Sequence, residues 1–265
     1  MIFTDKFVYV HEPKTGGTFV TSVLLRLHEF KWNRWTHLKS TLRPNLVHQN
    51  KYGTFIYNNN KHGGGGQIPA AQRHKPVLAT VRNPYDLYVS QYEFGWWKRK
   101  EFLKYYRAIP EFETKYAHFP DLSFGEYMRL TDAAFHDDGK NGPGALARPG
   151  LHTENFINFY FRNPREVIEK IDDEYIDSQK YRADMIDDLH FIRTDNLNQG
   201  LYDFLLKIGY PDEDIRFILD LGKILPRGRG RSRDQAWQKY YTPELKREVR
   251  QRDRLVFEMF PEFDV

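Results

Sequence analysis

The sequence predicts an α/β fold: a single domain over residues 1–265 with a central, mostly parallel sheet flanked by helices. Three observations predict it. Short apolar runs of β type recur at Phe7–Val10, Val77–Val81 and Leu189–Arg193. Each is followed by a stretch of helical pattern, reached through a short connection of turn residues. Strands that alternate with helices call for a parallel sheet covered on both faces. A chain of 265 residues buries a full core, and it fits one large domain better than two small ones.

The elements follow in order. After Phe7-Val8-Tyr9-Val10 come turn residues and then Thr18 to His28, where Phe19, Val20, Val23, Leu24 and Leu27 fall on one helical face. Thr54-Phe55-Ile56-Tyr57 is a further strand. Val77-Leu78-Ala79-Thr80-Val81 is the next, and Pro84 stands where a first helical residue is tolerated, opening a helix to about Lys100. Residues 104–150, rich in Tyr, Phe, Pro and Gly without clear periodicity, read as helical insertions and loops. After Leu189 to Arg193, Asn196 is placed to cap a helix with Leu197, Leu201, Phe204, Leu205 and Ile208 on one face and Gly209 as its stop. Thr242-Pro243 opens a last helix through about Met259.

Composition narrows the function. With 40% hydrophobic and 16% aromatic residues the chain is globular, and with no cysteine it has neither disulfides nor thiolate metal sites, which fits a reducing compartment. MIFTDKFVYV enters a strand-like run without the basic and apolar regions of a leader, and no apolar run approaches the roughly 18–20 residues of a membrane span. These readings predict a cytoplasmic protein. The net charge of +4 points weakly to an anionic ligand. Between Pro226 and Arg254 ten Lys/Arg stand against four Asp/Glu; a solvated basic helix is the plain reading of that excess.

The chemistry is concentrated in His11-Glu12-Pro13-Lys14-Thr15-Gly16-Gly17-Thr18-Phe19. Adjacent glycines let the backbone approach a ligand closely, and amides leading into the following helix point at an anion at its positive end. Lys14 adds a cation; Thr15 and Thr18 add hydroxyls. A nucleoside triphosphate P-loop has its lysine after the last glycine, whereas here the lysine comes first. A plain tight connection would also use a glycine pair, but it has no need of Pro-Lys-Thr before the pair and Thr after it.

On these residues the chain resembles the PAPS-dependent sulfotransferases, whose 5'-phosphosulfate loop reads approximately P-K-T/S-G-T/G-T, often preceded by His in the carbohydrate-type branch. The resemblance implies a P-loop-like sulfotransferase architecture. It also implies that Lys14, Thr15, Gly16, Gly17 and Thr18 bind the donor PAPS, with Lys14 near the bridging oxygen. His11 reads as a structural histidine at a strand end. A second match is Arg82-Asn83-Pro84 with Ser90 eight residues after the arginine, the family's 3'-phosphate motif. Arg82 offers a bidentate fork at a strand end, and Ser90 a hydroxyl about two helical turns on. Leu87 stands where many members have a second arginine.

Lys61-His62 follows the Thr54–Tyr57 strand. By the same resemblance His62 faces the acceptor as general base, a role suited to its near-neutral pKa. The run Gly63–Gly66 departs from the family's small-residue helix start, so an ordinary loop histidine is the alternative, with His48, His74 and Glu154 as further candidates. Phe191–Leu197 and Tyr240–Leu245 extend the likeness to about Phe260. The Arg227–Arg233 loop is a candidate to close over the 3'-phosphate or an anionic acceptor, or else a basic turn. His136-Asp137-Asp138 is read as a charged loop, and no metal is expected.

The expected reaction is in-line transfer of a sulfuryl group from PAPS to a hydroxyl or amine, leaving PAP. Resemblance to the carbohydrate branch, with Trp96 and Trp97 as possible sugar platforms, makes a saccharide the expected acceptor. Two alternatives stay open: a small-molecule kinase, which lacks the Walker spacing, and a nucleic-acid-binding protein, which leaves the two loops unexplained. No nucleic acid and no membrane span are expected.

Overall fold

The computed structural model describes residues 1–136, 149–222, 224 and 230–265, apart from the side chains of 135, 136 and 233. The chain forms two compact units whose segments alternate along the sequence: residues 1–82, 158–165 and 182–230 make one, and 83–157, 166–181 and 231–265 the other.

The first unit is α/β. Six strands, β1 (Ile2–Thr4), β2 (Val8–Tyr9), β3 (Asn45–Asn50), β4 (Gly53–Asn58), β5 (Val77–Val81) and β6 (Leu189–Arg193), form one sheet in the order β3-β4-β1-β2-β5-β6. The three strands expected to run parallel do so: Val8 pairs with Val77, and Val77 with Leu189. The other half corrects the mostly parallel sheet to a mixed one. β1 folds back on β2 through a tight turn in which the Thr4 hydroxyl donates to the Phe7 carbonyl at 2.9 Å. β3 and β4 form a hairpin closed at Lys51-Tyr52, with Gly53 at φ +94° supplying the left-handed turn residue. Two of the three antiparallel pairings are hairpins between consecutive strands, which need no crossover helix and so left none in the periodicity; the third sets β1 beside β4.

Helix α1 (Gly17–Leu27) buries Phe19, Val20, Val23, Leu24 and Leu27, the face expected from their spacing. They enter one core with Phe7, Tyr9, Phe55 and Leu78 of the sheet and with Leu201, Phe204 and Leu205 of the helix Leu197–Lys207. That helix is followed by Gly209 at φ +83°. Asn196 stands at its cap position, but its side chain makes no capping bond. A further helix, α2 (Arg34–Leu42), left no expectation in the sequence and stands before the edge strand β3.

The second unit is helical. α3 (Pro84–Phe94) begins at Pro84 as expected, with Asn83 Oδ1 accepting from the Tyr85 amide at 2.9 Å. It ends at Phe94, short of the expected Lys100, because Gly95 turns the chain at φ +67°. The last helix is broken at Asp253 into Pro243–Arg252 and Arg254–Met259. Asp253 is fully buried and accepts the Thr153 amide at 2.7 Å, a bond that holds it off the helical path. Trp97 is also fully buried, with its indole N–H on the Tyr92 carbonyl at 3.1 Å. It is therefore a core residue and not a sugar platform. Among the described residues, no helix is long and apolar enough to cross a membrane.

Candidate functional site

The residues from Val10 to Gly16 join β2 to α1. Lys14 and Gly16 hold φ of +70° and +100°, with Thr15 between them at negative φ. This alternation curls the main chain into a concave nest. A left-handed backbone is strained for a lysine and persists only where its surroundings dictate it. The surroundings here are bonds to the loop's carbonyls. The Thr15 hydroxyl donates to the Glu12 carbonyl at 2.8 Å. Arg82 Nη1 donates to the Lys14 carbonyl at 2.9 Å, and the Thr194 hydroxyl lies 2.8 Å from the Thr15 carbonyl and 3.0 Å from that of Val81. The Gly16 carbonyl takes the Phe19 amide at 2.9 Å.

The carbonyls of Glu12, Lys14, Thr15 and Gly16 are thus engaged within the fold. The donors are treated differently. No side chain caps α1, and the amides of Gly16, Gly17 and Thr18 meet no acceptor among the described residues. Lys14, Gly16 and Thr18 are half-buried, while Thr15 and Gly17 are buried. A positive helix end with open amides beside a lysine can hold a phosphate or sulfate group.

The predicted residues divide on this geometry. Lys14, Gly16, Gly17 and Thr18 surround the open end of α1. The Thr15 hydroxyl is fully buried, 2.7 Å from that of Thr80, so its side chain is not offered to a ligand. Arg82 reaches the loop from the end of β5 and braces the Lys14 carbonyl. Ser90 belongs to the second unit and is 7% exposed on α3. Arg231, also in that unit, pairs with Asp86 and donates to the Gln235 carbonyl at 3.2 Å. Arg227, Gly228, Arg229, Asp137, Asp138 and the side chains of His136 and Arg233 lie outside the described residues.

Two residues of the loop's own motif account for its shape. His11 is 4% exposed, and burial lowers its pKa to about 2, so the ring is neutral. Its ring fills the space a Cβ on Gly17 would need, which makes Gly17 a packing requirement. Glu12 is equally buried, and its carboxyl is bonded to the Tyr160 hydroxyl, which itself lies 3.0 Å from the Thr80 carbonyl. Burial raises the Glu12 pKa to about 8, and the hydrogen bond from Tyr160 works against that rise. No negative charge therefore stands behind the nest at neutral pH. Sequence reading passed over Glu12, Thr80 and Tyr160. The usable signal was Thr80, a hydroxyl inside an otherwise apolar central strand that must find partners there.

His62 stands beside this group. Its ring centroid is 4.8 Å from that of His11, nearly perpendicular to it, and its Nδ1 is 3.0 Å from the His11 carbonyl. A carbonyl only accepts, so Nδ1 carries the hydrogen and neutral His62 keeps an acceptor lone pair on Nε2. The ring is otherwise exposed. Partial desolvation against His11 lowers its pKa; the hydrogen bond opposes that shift and the Lys61 ammonium adds to it. His62 is thus an unprotonated base at neutral pH, one ring away from the start of α1. The glycines after it are packed: a Cβ on Gly64 would strike the Asn158 carbonyl, and one on Gly65 the Ile186 side chain. Of the other candidates, His48 lies on β3 against Phe30, with ring centroids 5.9 Å apart, and His74 is exposed. Glu154 lies in the second unit, half-buried.

No family model matches the chain, and neither does any curated protein or solved structure.

Proposed function

We propose that the chain is a sulfotransferase that moves a sulfuryl group from PAPS to a hydroxyl or amine of an acceptor, a saccharide by resemblance, on a P-loop-like sulfotransferase architecture. The observation that carries this reading is the asymmetry of the loop. The carbonyls of Glu12, Lys14, Thr15 and Gly16 are engaged within the fold, and the amides of Gly16, Gly17 and Thr18 are left open at the end of α1. Those amides and Lys14 fit the 5'-phosphosulfate of PAPS. The motif resemblance adds Arg82 and Ser90 for the 3'-phosphate.

PAPS supplies a sulfuryl group on a phosphate leaving group. The chain's residues then have separable tasks. His62 Nε2 takes the acceptor proton as the acceptor oxygen bonds to sulfur and the bond from sulfur to the phosphate oxygen breaks. Lys14 and the three amides stabilise the charge that develops on that phosphate oxygen, fixed in place before the reaction begins. Arg82 is a positioning residue for Lys14 through the carbonyl it holds. The neutral Glu12 keeps the field of the nest positive.

Calorimetric titration with PAP, beside ATP with magnesium, tests the reading. Micromolar PAP binding that Lys14→Ala weakens, with no response to ATP, supports it. Magnesium-dependent ATP binding without PAP binding overturns it and favours phosphoryl transfer.

A further inference from the structure

The amphipathic face of α2 is turned the wrong way for a helix that packs on its own protein. Its one buried residue is Ser40, whose hydroxyl donates to the His37 carbonyl at 2.6 Å and whose carbonyl takes Asn59 Nδ2 at 2.8 Å. Its apolar residues face solvent: Trp35 is 73% exposed, Leu38 52% and Leu42 77%. At about 100° per residue these three share an arc of roughly 60°. Arg34 and Lys39 fall about 40° beyond either border of it. The helix is a formed element, closed at its start by a capping box between Asn33 and Thr36. Trp32, just before the cap, is 45% exposed, and its ring rests against Tyr57 at 5.0 Å and Phe30 at 6.2 Å.

Charge identifies what this face fits. Between Glu29 and Asp86 the sequence holds nine Lys/Arg and no Asp or Glu. Lys31, Arg34, Lys39 and Arg43 surround α2, and none forms an ion pair among the described residues. A second copy of the chain would bring the same cations against them. A hydrogen-bonding polyanion has no use for Leu38 and Leu42, whose aliphatic ends find no partner on sugars or phosphates. An anionic bilayer satisfies both sets of side chains. Its acyl boundary takes the tryptophan and leucines, while lysine and arginine stems extend from the rim of the arc to the headgroups.

We propose that α2 docks the chain peripherally on an anionic lipid surface, inserting Trp35, Leu38 and Leu42 with Arg34 and Lys39 on the headgroups. The surface lies wholly within the first unit and is independent of the proposed sulfotransferase reading, so Lys14→Ala leaves it intact.

Co-sedimentation of the full chain with phosphatidylcholine vesicles, alone or with about one third phosphatidylglycerol, tests this. Binding is expected only to the anionic vesicles. It should fall at least tenfold in Leu38→Gln/Leu42→Gln and in Arg34→Gln/Lys39→Gln, and the charge variant should also lose much of the salt dependence. All four side chains are exposed, so thermal melting should match the parent chain. As a second readout, brominated lipid should quench tryptophan emission, and Trp35→Phe should remove most of that quenching while vesicle binding persists. Three results would each overturn the proposal. They are no binding to anionic vesicles, binding indifferent to the leucine variant (polyanion electrostatics alone), or a self-association in sedimentation velocity that the leucine variant abolishes.

Discussion

Replacing Glu12 by Gln tests the interior of the loop directly. The Glu12 carboxyl is protonated in the folded chain up to about pH 8, against an ordinary value of 4.5, because burial penalises its charged form. Between those values the folded state binds one proton more than the unfolded state. Stability therefore falls as pH rises, at about 1.4 kcal/mol per pH unit. Glu12→Gln keeps the shape and removes the titration. The two proteins should be similar in urea unfolding below pH 4.5. Between pH 5.5 and pH 8.5 the variant's advantage should grow by about 3 kcal/mol, the sum of roughly two and a half units at that slope. In melting temperature this is a rise of roughly 6–12 °C for a chain of this size. The variant should also hold PAP affinity above pH 8, where the parent chain acquires a carboxylate behind the nest. If the two stability curves run parallel across this range, Glu12 is ionised or solvated in the folded state and the account of its proton is wrong.

Other parts of the site give distinct readouts. Lys14→Ala should weaken PAP binding by roughly 10–100-fold, the loss of one charge-assisted contact, as measured by calorimetry. His62→Ala should lower sulfuryl transfer by about 10²–10⁴ with PAP affinity unchanged. Because the His62 pKa is lowered, the acidic limb of kcat/KM should fall below pH 6.5, the ordinary histidine value; a limb above it would mean that another group is the base. Gly64→Ala should cost about 1–3 kcal/mol in urea unfolding, since its Cβ would strike the backbone oxygen of Asn158. A neutral result would mean that the Gly63–Gly66 run adapts.

The legible parts of the fold were those written in local pattern. The face of α1, the three parallel strands and the stop at Gly209 follow from spacing and from glycine's freedom at positive φ. Of the antiparallel half only β4 was legible, as the Thr54–Tyr57 run; β1 is three residues long and β3 buries only Leu46 outright, too little to impose a period of two. In the site, the residue types of the Lys14–Thr18 loop were readable, but the direction of each group was not. A threonine in a phosphate-loop pattern reads as a donor to the ligand. Thr15 instead spends its hydroxyl on Glu12 and Thr80, a choice made by the buried strand beneath it. Arg82 likewise reads as an anion fork, and in the fold one arm of that fork holds the Lys14 carbonyl.

The two histidines show how packing turns such patterns into chemistry. His11 and His62 are the same residue type and lie 4.8 Å apart between ring centroids, yet only one is placed to exchange protons. The His11 ring is buried against Gly17, and ionising it would cost most of the desolvation that lowers its pKa to about 2. Its carbonyl, fixed by the same strand end, orients His62 by taking the proton on Nδ1. The His11 carbonyl thus sets the tautomer of His62, as an outer hydrogen bond sets the working nitrogen of a histidine elsewhere. Gly17 belongs to the same packing: any side chain there would displace His11, and the orientation of His62 would go with it. Gly17→Ala should therefore lower transfer through His62 as well as destabilise α1. Lys14→Ala, which leaves the histidine pair in place, should act on donor binding and on the charge at the leaving oxygen, not on the proton transfer to His62.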